Sequence, residues 1–233
     1  GLGPKKKFSA ETVRLAVFDA VNQADKLKVA HLTIVVPGPN RYLKATIEGI
    51  RLAAYRFEGL HQKKDKDQEP SLKSVVCLTK EPKAKIILGA TNIVFDGVDL
   101  AKNLVNLPPN IVTPAYLANQ ARTIAKNRKN VTLTVLSLAE AEKQGMGAFA
   151  GVAKGAAEPA RMIALHYKGK PGSKKAIAIV GKGITFDSGG ISLKPGKGMG
   201  KMKTDMAGSA AALGAFKAAV ELGLKINLIT VVA

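Results

Sequence analysis

The chain has 233 residues, 46% of them hydrophobic, and 36 Lys and Arg against 17 Asp and Glu, for a formal net charge of +19. That length and apolar content suit one large or two small globular domains and exclude a disordered tail or a fibre. A single cysteine, Cys77, excludes a disulfide framework or a Cys-based zinc site within the chain, and no apolar run reaches the roughly 18 residues of a membrane span.

In chain order, Ser9 is placed to N-cap a helix with Val13, Val17, Ala20 and Val21 on its apolar side. A β-rich run over residues 32–36 is closed by Pro37-Gly38-Pro39. Leu43, Ile47, Ile50, Ala54 and Phe57 recur at helical spacing. Residues 61–70 are polar and read as an exposed loop, and residues 74–79 and 85–88 read as short strands. A helix over residues 91–106 is stopped by Pro108-Pro109. Thr113 and Pro114 open the next as N-cap and first helical residue. Residues 131–136 alternate as a strand, after which Ser137 and Glu140 form a capping box. Residues 161–167 and 175–180 are further strands, the second an Ala-Ile-Ala-Ile-Val run typical of a central parallel strand. Met206, Ala210, Leu213 and Val220 line a helix ended by Gly223, and a last strand follows.

This alternation predicts an α/β protein with a mainly parallel central sheet and a boundary near residues 91–110. The start without Met and the stop on a strand lead us to expect a piece of a longer chain. The positive excess is spread along the sequence, densest at residues 5–7, 63–66 and 126–129. It reads as a solvated basic surface, or as electrostatic attachment to something anionic, with nucleic acid among the candidates. No aromatic interleaving or finger motif narrows that choice.

Chemistry concentrates in residues 180–194. Four glycines there let the backbone turn sharply beyond an apolar strand, the place where open α/β sheets hold their ligands. Asp187 and, just before an Ala-rich helix, Asp205 can converge, and two converging carboxylates call for a proton or a hard divalent cation between them. Lys182 would stand near the same metal and ligate only when neutral. Lys194 could stay charged and stabilise a developing oxyanion. Spacing alone leaves a second reading equally open: a structural Gly-rich turn whose lysines and aspartates pair at the surface. Phe186-Asp187-Ser188-Gly189 looks like an aspartic-protease triplet but has α/β flanks and no second copy. Residues 196–201 look like a phosphate loop, but Pro195 and Met202 occupy the positions where a P-loop needs Gly and Ser or Thr. Cys77 reads as a small hydrophobe and His166 as structural, while His31 and His61 border loops and carry no signal; no H-E-x-x-H occurs.

Residues 180–194 together with Met202-Lys203-Thr204-Asp205-Met206 closely resemble the leucyl aminopeptidases of metallopeptidase family M17. Residues 106–114 resemble that family's entry to its catalytic domain, and residues 145–149 and 153–155 its strand and turn segments. The resemblance covers essentially the whole chain. It implies a partial N-terminal α/β domain over residues 1–90, a linker helix over 91–110 and the first part of a catalytic domain over 111–233. It also implies a cytoplasmic, homohexameric exopeptidase that removes N-terminal residues, often leucine, from peptides with two divalent metal ions, Zn2+ or Mn2+. By position in the motif, Lys182, Asp187 and Asp205 would be metal ligands with Asp187 bridging. Lys194 would be the catalytic lysine, and Met202 would line the pocket for the substrate's first side chain. Family members carry a later Asn-Thr-Asp-Ala-Glu-Gly-Arg segment with two more ligands and an arginine, which this sequence lacks. The alternative is therefore a catalytically incomplete structural or nucleic-acid-associated protein on the same fold.

Overall fold

The computed structural model describes residues 3–4, 7–37, 41–57, 59–60 and 71–233. The expected loop at residues 61–70, the Gly38-Pro39 turn and the first two lysines of the 5–7 run lie outside the described residues. The chain forms two compact units, residues 1–95 and 96–233.

In the first unit, α1 (Ala10–Lys26) begins where Ser9 Oγ accepts from the Thr12 N–H at 3.2 Å. Its Val13, Val17 and Val21 are buried; Ala20 is exposed, and Ala24 takes the inward place instead. β1 (His31–Val35) pairs in parallel with β2 (Ser74–Leu78), and α2 (Arg41–Ala54) lies between them in the chain. Tyr42 and Ala45 pack on the α1 valines, with Leu32 and Ile34 against the same cluster. Gly49 is required at the α1–α2 contact, because a Cβ there would stand 2.5 Å from the Arg14 carbonyl. Phe57 falls beyond α2.

Asp25 joins three segments of this unit: it accepts from Arg56 Nη2 at 2.9 Å, the Ser71 N–H at 2.8 Å and the Leu72 N–H at 3.3 Å. Burial alone would raise its carboxyl, but the Leu72 N–H, the Arg56 guanidinium and the Ser71 N–H together hold it below the ordinary value. A depressed pKa in the folded state stabilises above the unfolded value of 3.8 and is lost as pH falls through the folded pKa. Asp25→Asn is therefore expected to lower the urea midpoint at about pH 7, and the gap to the parent should close at about pH 2. A gap that persists in acid would overturn this account.

The segment expected as a strand at residues 85–88 is instead the first turn of α3 (Ala84–Asn106). Its Lys-Ile-Ile-Leu run is too short for periodicity to separate strand from helix, and the helical pattern continues unbroken through residue 106. α3 stops before Pro108-Pro109 as expected.

The second unit is built on a four-stranded sheet, order β3-β4-β6-β5, from β3 (Val131–Ser137), β4 (Arg161–Lys168), β5 (Ile177–Gly181) and β6 (Asn227–Val232). α4 (Pro114–Ala125), capped by Thr113 with Pro114 in its first turn, packs on β3 and β4. Ser137 and Glu140 form the expected capping box at the start of α5 (Leu138–Lys143). Of the segments 145–149 and 153–155, expected as strand and turn, residues 147–149 and 153 belong to the helix α6 (Gly147–Ala153). The short α7 (Gly196–Met199) leads into a 3-10 turn, Gly200–Thr204. α8 (Ala207–Glu221) then packs on β5 and β6. Gly223 stops it at φ +62, its N–H bonding the Val220 carbonyl at 3.0 Å.

The expectation of a mainly parallel sheet is corrected. Only β5–β6, joined through α8, is parallel; β3–β4 and β4–β6 are antiparallel. A parallel pair needs a crossover of a dozen or more residues, and residues 169–176 between β4 and β5 are too few to supply one. Among the four strands of this chain, the Ala-Ile-Ala-Ile-Val strand stands at the end of the order, with Ile177 and Val180 exposed. The core lies on β4, β6 and α8: Leu165, Leu213 and Phe216 are fully buried, and Tyr167 meets the Phe216 ring edge-on at 6.5 Å. Among the described residues no helix is long and apolar enough to cross a membrane.

Candidate metal centre

The site forms where the end of β5 meets the start of α8. Ser209, completely buried, accounts for the junction: its Oγ donates to the Lys182 carbonyl at 2.7 Å and its N–H to the same oxygen at 2.9 Å. The Gly183 N–H bonds the Ala233 carbonyl at 2.6 Å, which ties in the end of β6. No side chain fits at the seam. A Cβ on Gly181 would stand 2.6 Å from the Gly208 carbonyl, and one on Gly208 would stand 2.9 Å from the Lys182 nitrogen. Lys182 therefore leaves β5 beside the turn that ends in Asp205.

Two ion pairs result. Lys182 Nζ lies 2.8 Å from Asp205 Oδ1, and Lys194 Nζ lies 2.6 Å from Asp187 Oδ2. The hydrogen bond to Asp205, with Asp187 adding its field, lifts Lys182 above the usual lysine range. The hydrogen bond from Lys194, reinforced by the Gly189 N–H at 2.9 Å, holds Asp187 below the usual carboxylate range. Lys194 Nζ also reaches the Asp187 carbonyl and Met202 Sδ, each at 3.3 Å. Gly189, at φ +92, permits the turn that brings Lys194 back, its Cβ position lying 2.3 Å from the Ser192 carbonyl.

All five residues singled out in the sequence thus gather in one place: Lys182 with Asp205, Lys194 with Asp187 and Met202, and Lys182 in the field of both carboxylates. The lysine–aspartate pairing matches the purely structural reading of this loop, but that reading leaves a remainder. Asp205 Oδ2 is buried and has no hydrogen-bond partner. An unpaired buried carboxylate oxygen is costly, and a hard cation is the partner such an oxygen suits. Among the described residues no three His, Cys, Asp or Glu side chains come together, so the donor set here is two carboxylates and a lysine. These residues fit a divalent cation as part of its ligand shell.

A cleft of about 930 Å³ opens beside Lys182 and Asp187, with Leu117, Phe149, Ile163 and Phe186 on its walls. Two contributors were not singled out in the sequence. Ser209 hides in an Ala-rich helix as a small polar residue, and Lys203 donates to the Asn106 carbonyl at 2.7 Å, tying the turn before Asp205 to the end of α3. The double proline after α3 was the available signal for Lys203, since Pro108 and Pro109 cannot donate to the last carbonyls of that helix.

Known proteins share both this sequence and this fold. The profile of the cytosol aminopeptidase family's catalytic domain matches residues 99–233, and that of its N-terminal domain matches residues 1–64. A probable cytosol aminopeptidase of Nitrosococcus oceani is 39% identical over 242 residues, and one of Geobacter sp. is 40% identical over 238. Each match takes in 100% of this chain and 48% of the relative, so the chain spans about half the length of these curated relatives. The bottromycin maturation enzyme BotP in complex with Mn superposes with a TM-score of 0.84 at 29% identity, over 100% of this chain and 49% of BotP. A tomato leucine aminopeptidase mutant gives 0.78 at 27% identity, over 95% of this chain and 44% of its own.

Proposed function

The chain belongs to the cytosol aminopeptidase family, and from that premise we propose that it carries part of a two-metal centre that removes N-terminal residues, leucine-type ones preferred, from peptides. The observation that carries this reading is the gathering of Lys182, Asp187 and Asp205 around a buried, unpartnered Asp205 Oδ2. The aminopeptidase relatives support peptide substrates, and the Mn complex of BotP supports a divalent metal, Mn2+ or Zn2+. When bound, the two cations supply Lewis acidity to the scissile carbonyl and lower the pKa of a water.

Lys182, Asp187 and Asp205 would hold the cations. Lys182 would ligate only as the free amine, and the hydrogen bond to Asp205 favours its protonated form, so a cation held there would have to displace that proton to solvent. Lys194 is in a different position. Its ammonium is anchored by Asp187 and would turn the donor now on the Met202 thioether to an oxyanion as charge develops there. Met202, with its thioether against Lys194 Nζ, would offer the substrate's first side chain an apolar, adaptable wall. By the same resemblance we assign residues 1–90 to a partial N-terminal domain, 91–110 to a linker helix and 111–233 to the catalytic domain. The assembly is proposed as a homohexamer in the cytoplasm.

The test is release of leucine from a chromogenic leucyl amide by the gene's whole product, supplied with Mn2+ or Zn2+. The parent should release leucine and Asp187→Ala should not. No release with either metal would overturn the assignment in favour of a catalytically incomplete protein on the same fold, and full activity in Asp187→Ala would remove Asp187 from the metal centre.

A further inference from the structure

We infer that Lys203 is a positioning residue of the metal centre: its ammonium, seated on the last turn of α3, sets where Met202 and Asp205 stand. The inference rests on the reading of Lys182, Asp187 and Asp205 as metal ligands. Lys203 Nζ donates to the Asn106 carbonyl at 2.7 Å, across 97 residues of chain. Of the neighbouring lysines Lys197, Lys201 and Lys203, the first two are exposed and only Lys203 is half-buried. Among the described residues Lys203 pairs with no Asp or Glu, so a helix end stands in the place of a counter-ion.

That helix end calls for a cation. The last carbonyls of a helix lack partners within it and carry its negative pole. α3 runs for 23 residues and has no basic side chain in its own last turn. Pro108 and Pro109 bring no N–H, and the N–H groups of Ile111 and Val112 both go to the Pro108 carbonyl at 3.0 Å. The end of α3 is also a fixed post. Gly97 of α3 and Gly214 of α8 meet backbone to backbone: a Cβ on Gly97 would stand 2.4 Å from the Gly214 carbonyl, and one on Gly214 would stand 2.3 Å from the Gly97 carbonyl. α3 is thereby held against the helix that starts just after Asp205.

Residues 201–205 are bonded within themselves and shift as one piece: the Asp205 N–H bonds the Met202 carbonyl at 3.1 Å, and Thr204 Oγ1 donates to the Lys201 carbonyl at 2.8 Å. Among the described residues three side-chain bonds leave this turn, from Asp205 to Lys182, from Met202 to Lys194 and from Lys203 to Asn106. The first two partners have other work in the proposed reaction. Lys182 would ligate and Lys194 would turn to an oxyanion, so neither bond can hold the turn throughout. The bond from Lys203 to α3 can, because neither of its ends is asked to do anything else. A group that orients a metal ligand without touching the metal acts in this way.

The test is titration of the gene's whole product with Mn2+, free Mn2+ being read from its electron paramagnetic resonance signal, with thermal unfolding of the same samples. Lys203→Met should weaken Mn2+ binding about 10- to 100-fold. Lys203→Arg keeps a cationic donor for the carbonyl and should bring affinity back to within about threefold of the parent. Arg128→Met is the control. Arg128 Nη1 donates to the Ile124 carbonyl at 2.8 Å, at the end of α4, and Nη2 to Glu221 at 2.7 Å, so this variant loses a bond of the same kind away from the site. Its Tm should fall at least as far as that of Lys203→Met while Mn2+ affinity stays within about twofold of the parent. Parent affinity in Lys203→Met, equal loss in Arg128→Met, or no recovery in Lys203→Arg would each overturn the proposal. So would a Tm in Lys203→Met so far below that of Arg128→Met that binding is lost with the fold. A parent that binds no Mn2+ would overturn the metal reading and this inference with it, a result distinct from a parent and a Lys203→Met that bind equally well.

Discussion

Lys194→Met is expected to lower kcat by about 10²–10³ while KM stays within a few-fold, because the group removed acts on charge that develops only in the transition state. Lys194 is held by three contacts, Asp187 Oδ2 at 2.6 Å and the Asp187 carbonyl and Met202 Sδ at 3.3 Å, so its ammonium is aimed before substrate arrives. The substitution should leave the fold intact. The Lys194–Asp187 pair is about a third exposed at both ends, at 36% each, and solvent screens such a pair so that it adds little to stability. The Tm of Lys194→Met should therefore stay close to that of the parent. Activity and stability therefore separate, which a merely structural lysine would not allow. Lys194→Arg keeps the charge, but its planar fork cannot reproduce the three contacts made by one compact ammonium, so rescue should be partial. A kcat within about twofold of the parent in Lys194→Met would remove Lys194 from the mechanism.

Much of the fold was legible because its signals are local. Ser9, Thr113 and the Ser137–Glu140 box each cap a helix through atoms within three residues, so the residue type alone reports the element. What misled was information held by partners. Ile177 and Val180 lie on a strand whose two faces are both apolar, which fits a central place, while among the four strands of this chain it stands at the end of the order. A strand's neighbours are set by where other strands arrive, which composition does not encode. The same limit made the sheet look mainly parallel: helix–strand alternation suggests parallel crossovers, while the short 169–176 connection decides the actual arrangement.

At the site the division falls elsewhere. Lys182, Asp187, Lys194 and Asp205 stood out as lysines and carboxylates amid glycines at a strand end, a pattern equally open to a metal site and to a structural turn, and Met202 came only from the family resemblance. Which lysine meets which carboxylate was not visible. Asp187 takes Lys194 and Asp205 takes Lys182, a crossing of partners set by the Gly189 turn and the Ser209 junction. Ser209 itself gave no signal, since its work is done wholly through backbone carbonyls that any sequence possesses.

That junction yields the second large effect. Gly181→Ala is expected to cost about 1–3 kcal/mol, or about 2–12 °C in Tm, and to remove most metal-dependent leucine release. The new Cβ would meet the Gly208 carbonyl at 2.6 Å and Ser209 Cα at 2.7 Å, both backbone, so no side chain can swing away to make room. The start of α8 has to retreat from the end of β5. Retreat stretches the bonds from Ser209 to the Gly181 and Lys182 carbonyls, at 3.2 and 2.7 Å, and these set the distance between Lys182 on the strand and Asp205 before the helix. Ser209→Ala provides the comparison: it removes the hydroxyl without adding bulk, costs about 1 kcal/mol and keeps the backbone bond from its N–H to the Lys182 carbonyl. Lys182 and Asp205 then stay together and leucine release persists. If Ser209→Ala abolished release while Gly181→Ala spared it, the seam between β5 and α8 would not be what positions the metal ligands.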